Sequence, residues 1–346
     1  MNRFARFGSA IALCMALGGV AAPHEARAED KVQVVPVLGG LLNPSGLVAE
    51  KGTTHLLVSD SGAGRILCFH TDGEEYEKVI TKFGKDVYGK GPMYDVGPLG
   101  LAFLGRQLIV GGGDQVDGKE VLYVFDMPPH GKMITADKGT TLGPIGPSPE
   151  SAKGEGNFFG VAVTKEGVFV TSNGDDTKGW ILKAPISGGK LGELKPFIAT
   201  KSKVSVDAPA AITVDAHGHL VVGQMGEVNV AGDSLLTVYD ASSGELIASA
   251  KTGLSDLVGL AYSPKSGKLY GIDFSWVDPA QGGLYRIELS GEDKNATVKT
   301  EKLCSLDKPA AMCFDARGTL FVAEFGTQAE GSKVRPGRLV RIEGDL

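Results

Sequence analysis

Cysteine, histidine and tryptophan are scarce in this chain, with 4, 6 and 2 copies among 346 residues. No C-x-x-C pair and no haem-attachment motif occurs, so the cysteines offer no disulfide framework and no redox motif. Cys68, Cys304 and Cys313 each sit in an apolar, strand-like run and read as small buried hydrophobes, with a Cys304 to Cys313 bridge as the alternative. Positive charge is also lacking: 35 Lys and Arg face 41 Asp and Glu, a formal charge of −6. That balance makes nucleic acid and anionic membrane surfaces poor partners. Walker A, G-x-S-x-G, H-E-x-x-H and a full EF-hand loop are all absent, although Ser172-Asn173-Gly174-Asp175-Asp176 has a weak Asx-rich likeness to a Ca²⁺ loop.

Only one long apolar run exists, over residues 7–22, behind Arg3 and Arg6 and ahead of Ala26-Arg27-Ala28. Its length of about 16 residues falls short of the roughly 20 a spanning helix needs. The pattern predicts a leader over residues 1–28, cleaved after Ala28, and a soluble periplasmic or secreted product without a membrane span. Loss of Arg3, Arg6, Arg27 and Glu25 takes the formal charge from −6 to −8.

What is abundant is glycine, 50 residues, with 17 prolines and many Val, Leu and Thr, the composition of short strands joined by turns. Six copies of one pattern start at Pro44, Pro98, Phe158, Pro209, Leu257 and Pro309. The first reads PSGLVAEKGTTHLLVSDSGAGRILCF: a small residue opening an apolar strand, a Gly-containing turn, a second strand, a loop, a third strand. The opening residues Gly46, Gly100, Gly160, Ala211, Gly259 and Ala311 are spaced by 54, 60, 51, 48 and 52 positions. Fourth strands are expected between copies, at residues 75–81, 132–136, 191–198, 245–250 and 297–303. Four strands in roughly 50 residues is the period of a propeller blade. The sixth copy has no fourth strand, and residues 32–37, VQVVPV, have no other place. The predicted fold is therefore all-β: one six-bladed β-propeller domain over residues 29–346 with four-stranded blades, closed by the N-terminal strand completing the C-terminal blade.

The pattern P-x-G-hydrophobic, G-x-L-hydrophobic-V, then D-x-x-x-x-R-I resembles the NHL repeat and the SMP-30/gluconolactonase-like six-bladed propellers, over about residues 32–346. The resemblance implies the architecture; functions on it range from lactonases to plain binding scaffolds. In SMP-30-like enzymes a divalent metal sits at the ring centre, held partly by Asn and Asp just before the Gly of inner strands. The equivalent positions here are Ser45, Leu99, Phe159, Ala210, Val258 and Ala310, five of which cannot ligate a metal. Gly154-Glu155-Gly156-Asn157 is similar to the Gly-Glu-Gly-Pro of that family but lacks the Pro and reads as a loop.

The turns after first strands are short, whereas the loops after second strands and the links between blades are long and share one face. Long loops on a rigid scaffold are where binding resides. The candidate ligand-binding residues there are Asn173, Asp175, Gln224, Asp273, Trp276 and Glu324. The residues following the second strands are Asp60, Gly112, Ser172, Gln224, Asp273 and Glu324. Asp60, Asn173, Asp273 and Glu324 are expected to converge over the channel mouth as ligands for a hard ion such as Ca²⁺. The rival reading, for Asp60 above all and also for Asp273 and Glu324, is a carboxylate capping its own turn. His55, His70, His130, His217 and His219 all fall on or near the opposite turns, which disfavours a transition-metal site on the long-loop face. The favoured function is a monomeric, exported binding propeller for a small molecule, glycan or protein; the alternative is a Ca²⁺-dependent hydrolase of the lactonase type.

Overall fold

Each of the six copies folds into its own antiparallel sheet, because alternating apolar residues on short strands can bury both faces only by stacking sheet on sheet. The computed structural model describes residues 32–346 apart from 74, 90, 175–177 and 292–294. The expected leader, Asp175 and Asp176 lie outside the described residues. Blade 1 comprises Pro44–Ala49, His55–Asp60, Arg65–His70 and Tyr76–Thr81, and the same order repeats around the ring. Among the described residues, helix is confined to Thr200–Val204 and three 3-10 turns. Among the described residues no helix is long and apolar enough to cross a membrane.

The small residues that open the inner strands are explained by crowding at the axis. A Cβ on Gly46 would lie 2.0 Å from the Leu99 carbonyl, one on Gly100 2.1 Å from that of Phe159, and one on Gly160 2.5 Å from that of Ala210. Each glycine thus lets its strand lie directly against the next blade's inner strand. Ser59 Oγ and Thr171 Oγ1 reinforce two of these junctions by donating to Leu99 O at 2.7 Å and Ala210 O at 3.0 Å.

The core is divided among the seams. All six buried clusters join neighbouring blades, as where Leu56, Leu67 and Phe69 of blade 1 meet Phe321, Ala323 and Leu339 of blade 6. A fully buried side chain of this size contributes about 1.5–3 kcal/mol. Closure is as expected and longer: Gln33–Leu41 pairs antiparallel with Gly337–Glu343, from Gln33 opposite Glu343 to Leu41 opposite Gly337. This strand is outermost in its sheet, so the missing N–H of Pro36 is tolerated. Val32 packs into the seam between blades 5 and 6, and Leu41 into the seam between blades 6 and 1.

One local expectation changes. Residues 132–136 do not complete blade 2: Ile134–Thr135 pairs in parallel with the outer strand of blade 1, and Thr140–Leu142 takes the fourth place instead. Ile134 packs on the seam shared by blades 1 and 2, so burial there outweighs pairing at the outer edge of its own sheet. Cys304 and Cys313 form no disulfide, in line with the sequence reading, and lie on the outer strand of blade 5 and the inner strand of blade 6.

Candidate functional site

The polar ring at the ends of the second strands is a set of struts. In five blades the terminal side chain reaches the link 16 to 18 residues upstream. Asp60 Oδ1 accepts the Leu42 N–H at 2.6 Å, and its Oδ2 pairs with the Arg65 guanidinium at 2.6 Å. Ser172 Oγ accepts the Gly156 N–H at 3.2 Å and donates to Glu155 Oε2 at 2.6 Å. Gln224 Nε2 donates to Val206 O at 2.6 Å. Asp273 accepts from the backbone N–H groups of Ser255, Asp256 and Ser275 at 3.0, 2.8 and 2.9 Å. Glu324 Oε1 accepts the Asp307 N–H at 2.7 Å, and its Oε2 holds Arg338.

Asp60, Gln224, Asp273 and Glu324 are therefore buried and committed to backbone groups, and the expected convergence of Asp60, Asp273 and Glu324 with Asn173 as an ion site is not formed. Among the described residues, the compact groupings of three His, Cys, Asp or Glu ligand atoms lie elsewhere. Burial pushes the Asp273 carboxyl up, and the three N–H donors pull it back. Asp273→Ala should cost about 3 kcal/mol, because it leaves buried donors unpaired, and Asp273→Asn should recover part of that in urea unfolding. An alanine variant with an unchanged midpoint would show that the strut carries no stability.

The channel centre is apolar and plugged. Asp86–Tyr88 and Tyr94–Val96 form a two-stranded ribbon within the link between blades 1 and 2, and it lies over the ring. The Tyr94 ring packs against Phe274, Trp276 and Phe325 with centroids 6.3, 5.4 and 5.1 Å away. Trp276 Nε1 donates to Gly91 O at 3.1 Å, tying the ribbon to blade 5. Beneath the plug is a cavity of only about 50 Å³, lined at the inner-strand positions by Ser45, Phe159, Ala210, Val258 and Ala310. This set offers no carboxylate or amide side chain, so it does not fit the central divalent metal that the family resemblance implies.

A different arrangement opens beside the plug, in a cleft of about 360 Å³. Its walls carry the carboxylates of Asp86, Asp117, Asp207 and Glu227, the amides of Asn157 and Asn173, and the rings of Tyr88 and Trp276. Lys201 is the cation there, and it is bonded to Asp207 at 2.5 Å. Asn173 is 5% exposed, and neither its amide oxygen nor its amide nitrogen has a partner among the described residues. Trp276 is also set by its backbone N–H, which donates at 2.6 Å to Asp256 Oδ2; burial pushes that carboxyl up to about 7.

Behind the wall lies Glu120, 1% exposed, its carboxyl pushed up to about 9, first by burial and then by the charges of Asp117, Asp114 and Asp86. It accepts the Asn157 N–H, and Asn157 Nδ2 donates to Asp117 Oδ1 at 3.3 Å. A Cβ at 156 would lie 1.8 Å from the Glu120 carboxylate, so any larger residue there would have to displace that side chain. The run Gly154-Glu155-Gly156-Asn157, a loop by sequence, thus holds the inner wall, with Glu155 buried on Ser172.

Of the residues expected from sequence, the cleft brings together Asn173 and Trp276; Asp175 lies outside the described residues, and Gln224, Asp273 and Glu324 do not line it. Asp86, Lys201 and Asp207 escaped notice because they stand in the links between blades, whereas Asn157 stands in the Gly154-Glu155-Gly156-Asn157 run that sequence alone reads as a loop.

No protein-family model and no curated protein matches the chain. Solved structures do. The PQQ-bound aldose sugar dehydrogenase of Streptomyces coelicolor has a TM-score of 0.61 over 91% of this chain and 98% of its own, at 16% identity. A gluconolactonase of Xanthomonas campestris has a TM-score of 0.59 at 12% identity, covering 90% of this chain and 89% of its own. A chain of a nidogen/laminin complex has a TM-score of 0.50 at 15% identity, covering 78% and 85%. At such identities the similarity establishes the six-bladed fold.

Proposed function

We propose that the cleft of the long-loop face binds a small, uncharged polyhydroxylated molecule of the sugar class. The observation that carries this reading is Asn173, a buried amide with donor and acceptor both unpartnered in the wall of the cleft. Leaving such atoms bare costs about 1–3 kcal/mol each, which a ligand hydroxyl offsets by donating to one and accepting from the other. Carboxylates and amides around an aromatic platform of Tyr88 and Trp276 suit alternating hydroxyls and C–H faces. Four carboxylates against one paired lysine repel phosphorylated or acidic sugars.

A second reading has its own support: hydrolysis of a sugar lactone in the same cleft. Here the carboxylate of Asp117 takes a proton from water as it adds to the lactone carbonyl, the ring C–O bond breaks, and the alkoxide takes up a proton to give the hydroxy acid. Glu120, held neutral behind Asp117, keeps that pair from carrying two negative charges. The gluconolactonase and sugar dehydrogenase folds among the structural neighbours favour this version over passive binding.

The test is calorimetry and turnover with neutral aldoses and aldonolactones, on the full chain, with and without EDTA. Saturable binding, weakened about tenfold or more by Asn173→Ala and by Trp276→Ala, is the expected result. EDTA-insensitive lactone turnover lost in Asp117→Asn selects the hydrolase; binding without turnover selects the carrier. Absence of both for every sugar overturns the assignment.

A further inference from the structure

The sequence disperses the histidines, but the fold gathers three of them on the opposite face. His55 opens the second strand of blade 1 and His70 ends the third, and the two are direct register partners. His130 arrives from the turn that follows the third strand of blade 2, at Pro128-Pro129-His130-Gly131. The three ring centroids lie 4.3, 4.7 and 5.3 Å apart, and ligand nitrogens of all three fall within 4.8 Å of one another.

We propose that His55, His70 and His130 form a binding site for a divalent transition-metal ion of the zinc class, at the junction of blades 1 and 2. The hydrogen bonding fixes which nitrogens are available. His55 Nδ1 faces Glu50 Oε2 at 2.9 Å and His130 Nδ1 faces Glu77 Oε1 at 3.0 Å. A carboxylate can only accept, so each Nδ1 carries the hydrogen and each neutral ring turns the Nε2 lone pair inward. Those two Nε2 atoms are 2.8 Å apart. Two lone pairs at that distance repel unless a cation joins them. A proton serves two nitrogens, but a third imidazole stands within reach, and a tetrahedral ion serves three. An ion bound at 2.0–2.1 Å to each nitrogen needs Nε2 atoms about 3.3 Å apart, a small rotation of the exposed His130 ring.

The surroundings agree. Two carboxylates outside three neutral imidazoles balance a double positive charge, and carboxylate-backed histidine is the usual outer shell of such a site. Imidazole ligands select zinc, copper, nickel or cobalt over calcium. A cavity of about 430 Å³, lined by Glu50, His55, Cys68, Glu77 and His130, provides entry. Cys68 Sγ lies 4.0 Å from His70 Nε2, and Cys68, His70 and Glu77 themselves form an overlapping compact group, so a fourth ligand is at hand.

The experiment uses untagged full chain, stripped with EDTA and titrated with Zn²⁺ against a chromophoric chelator, with Co²⁺ absorption as a second readout. One equivalent should bind, raise the melting temperature, resist excess Ca²⁺ and give the intense visible bands of tetrahedral cobalt. His130→Ala, on an exposed turn, should abolish this site, and Glu77→Gln should weaken it about 10- to 100-fold. His217→Ala should leave it intact, because the His217 and His219 pair on blade 4 lacks a third ring. Failure to bind one equivalent, or binding that survives both His55→Ala and His130→Ala, overturns the proposal and leaves the cleft assignment untouched.

Discussion

A chain lacking residues 33–41 is expected to lose cooperative folding altogether. The strand is the outer member of the sixth sheet, and removing it exposes the edge of Gly337–Glu343 and strips Leu41 from the seam that joins blades 6 and 1. Since all six buried clusters are shared between neighbouring blades, a loss at one seam spreads to the next. The total stability of a domain is only about 5–15 kcal/mol, so one open seam of this size consumes it. The truncated chain should show no sigmoidal urea transition and should bind hydrophobic dyes. A circular permutant that carries residues 32–41 after Leu346 should restore the transition, because Gly344 already abuts Val32. A truncated chain that melts like its parent would falsify the closure argument.

Stability should fall as pH rises from about 5 to 9, and Glu120→Gln should remove the upper part of that fall. The Glu120 carboxyl titrates near 4.5 when unfolded and is pushed up to about 9 in the fold. Between those values the folded state holds the extra proton, so its stabilisation is complete below the lower value and is lost as pH climbs through the upper one. Asp256, raised to about 7, adds to the same slope between about 4 and 7. The combined loss is on the order of a few kcal/mol. Glutamine keeps the acceptor for the Asn157 N–H and never ionises, so the variant should be more stable than the parent at pH 9 and similar at pH 5. Equal slopes for the two proteins would show that Glu120 is ionised in the fold.

The blade period was legible because it is written in local chemistry. Gly46, Gly100 and Gly160 mark crowding at the axis, and VQVVPV could only be the missing strand. The site was less legible, for a physical reason. Asp60, Asp273 and Glu324 look like ligands in sequence, but a carboxylate at a strand end is drawn to unpaired N–H groups 17 or 18 residues upstream, contacts that no local window displays. The short-loop reading of Asp60 as a turn cap was nearer, although its partners are Leu42 and Arg65. Asn173 and Trp276 emerged from their long loops. Asp207 did not, since links between blades carry no repeating signal. The histidines were placed on the right face, but only the pairing of His55 with His70 could have been deduced from the hairpin; His130 needed the neighbouring blade.

The aromatic plug has a consequence for the molecule as a whole. Among the described residues, Tyr94, Phe274, Trp276 and Phe325 pack across the axis on one side, above a cavity of about 50 Å³. The ring is a partition with two separate surfaces, and an ion on the histidine side acts on the cleft across packed hydrocarbon. Substitutions at His130 and at Asn173 should then combine additively in a double-mutant cycle, so that the two surfaces can change ligand independently while sharing one scaffold.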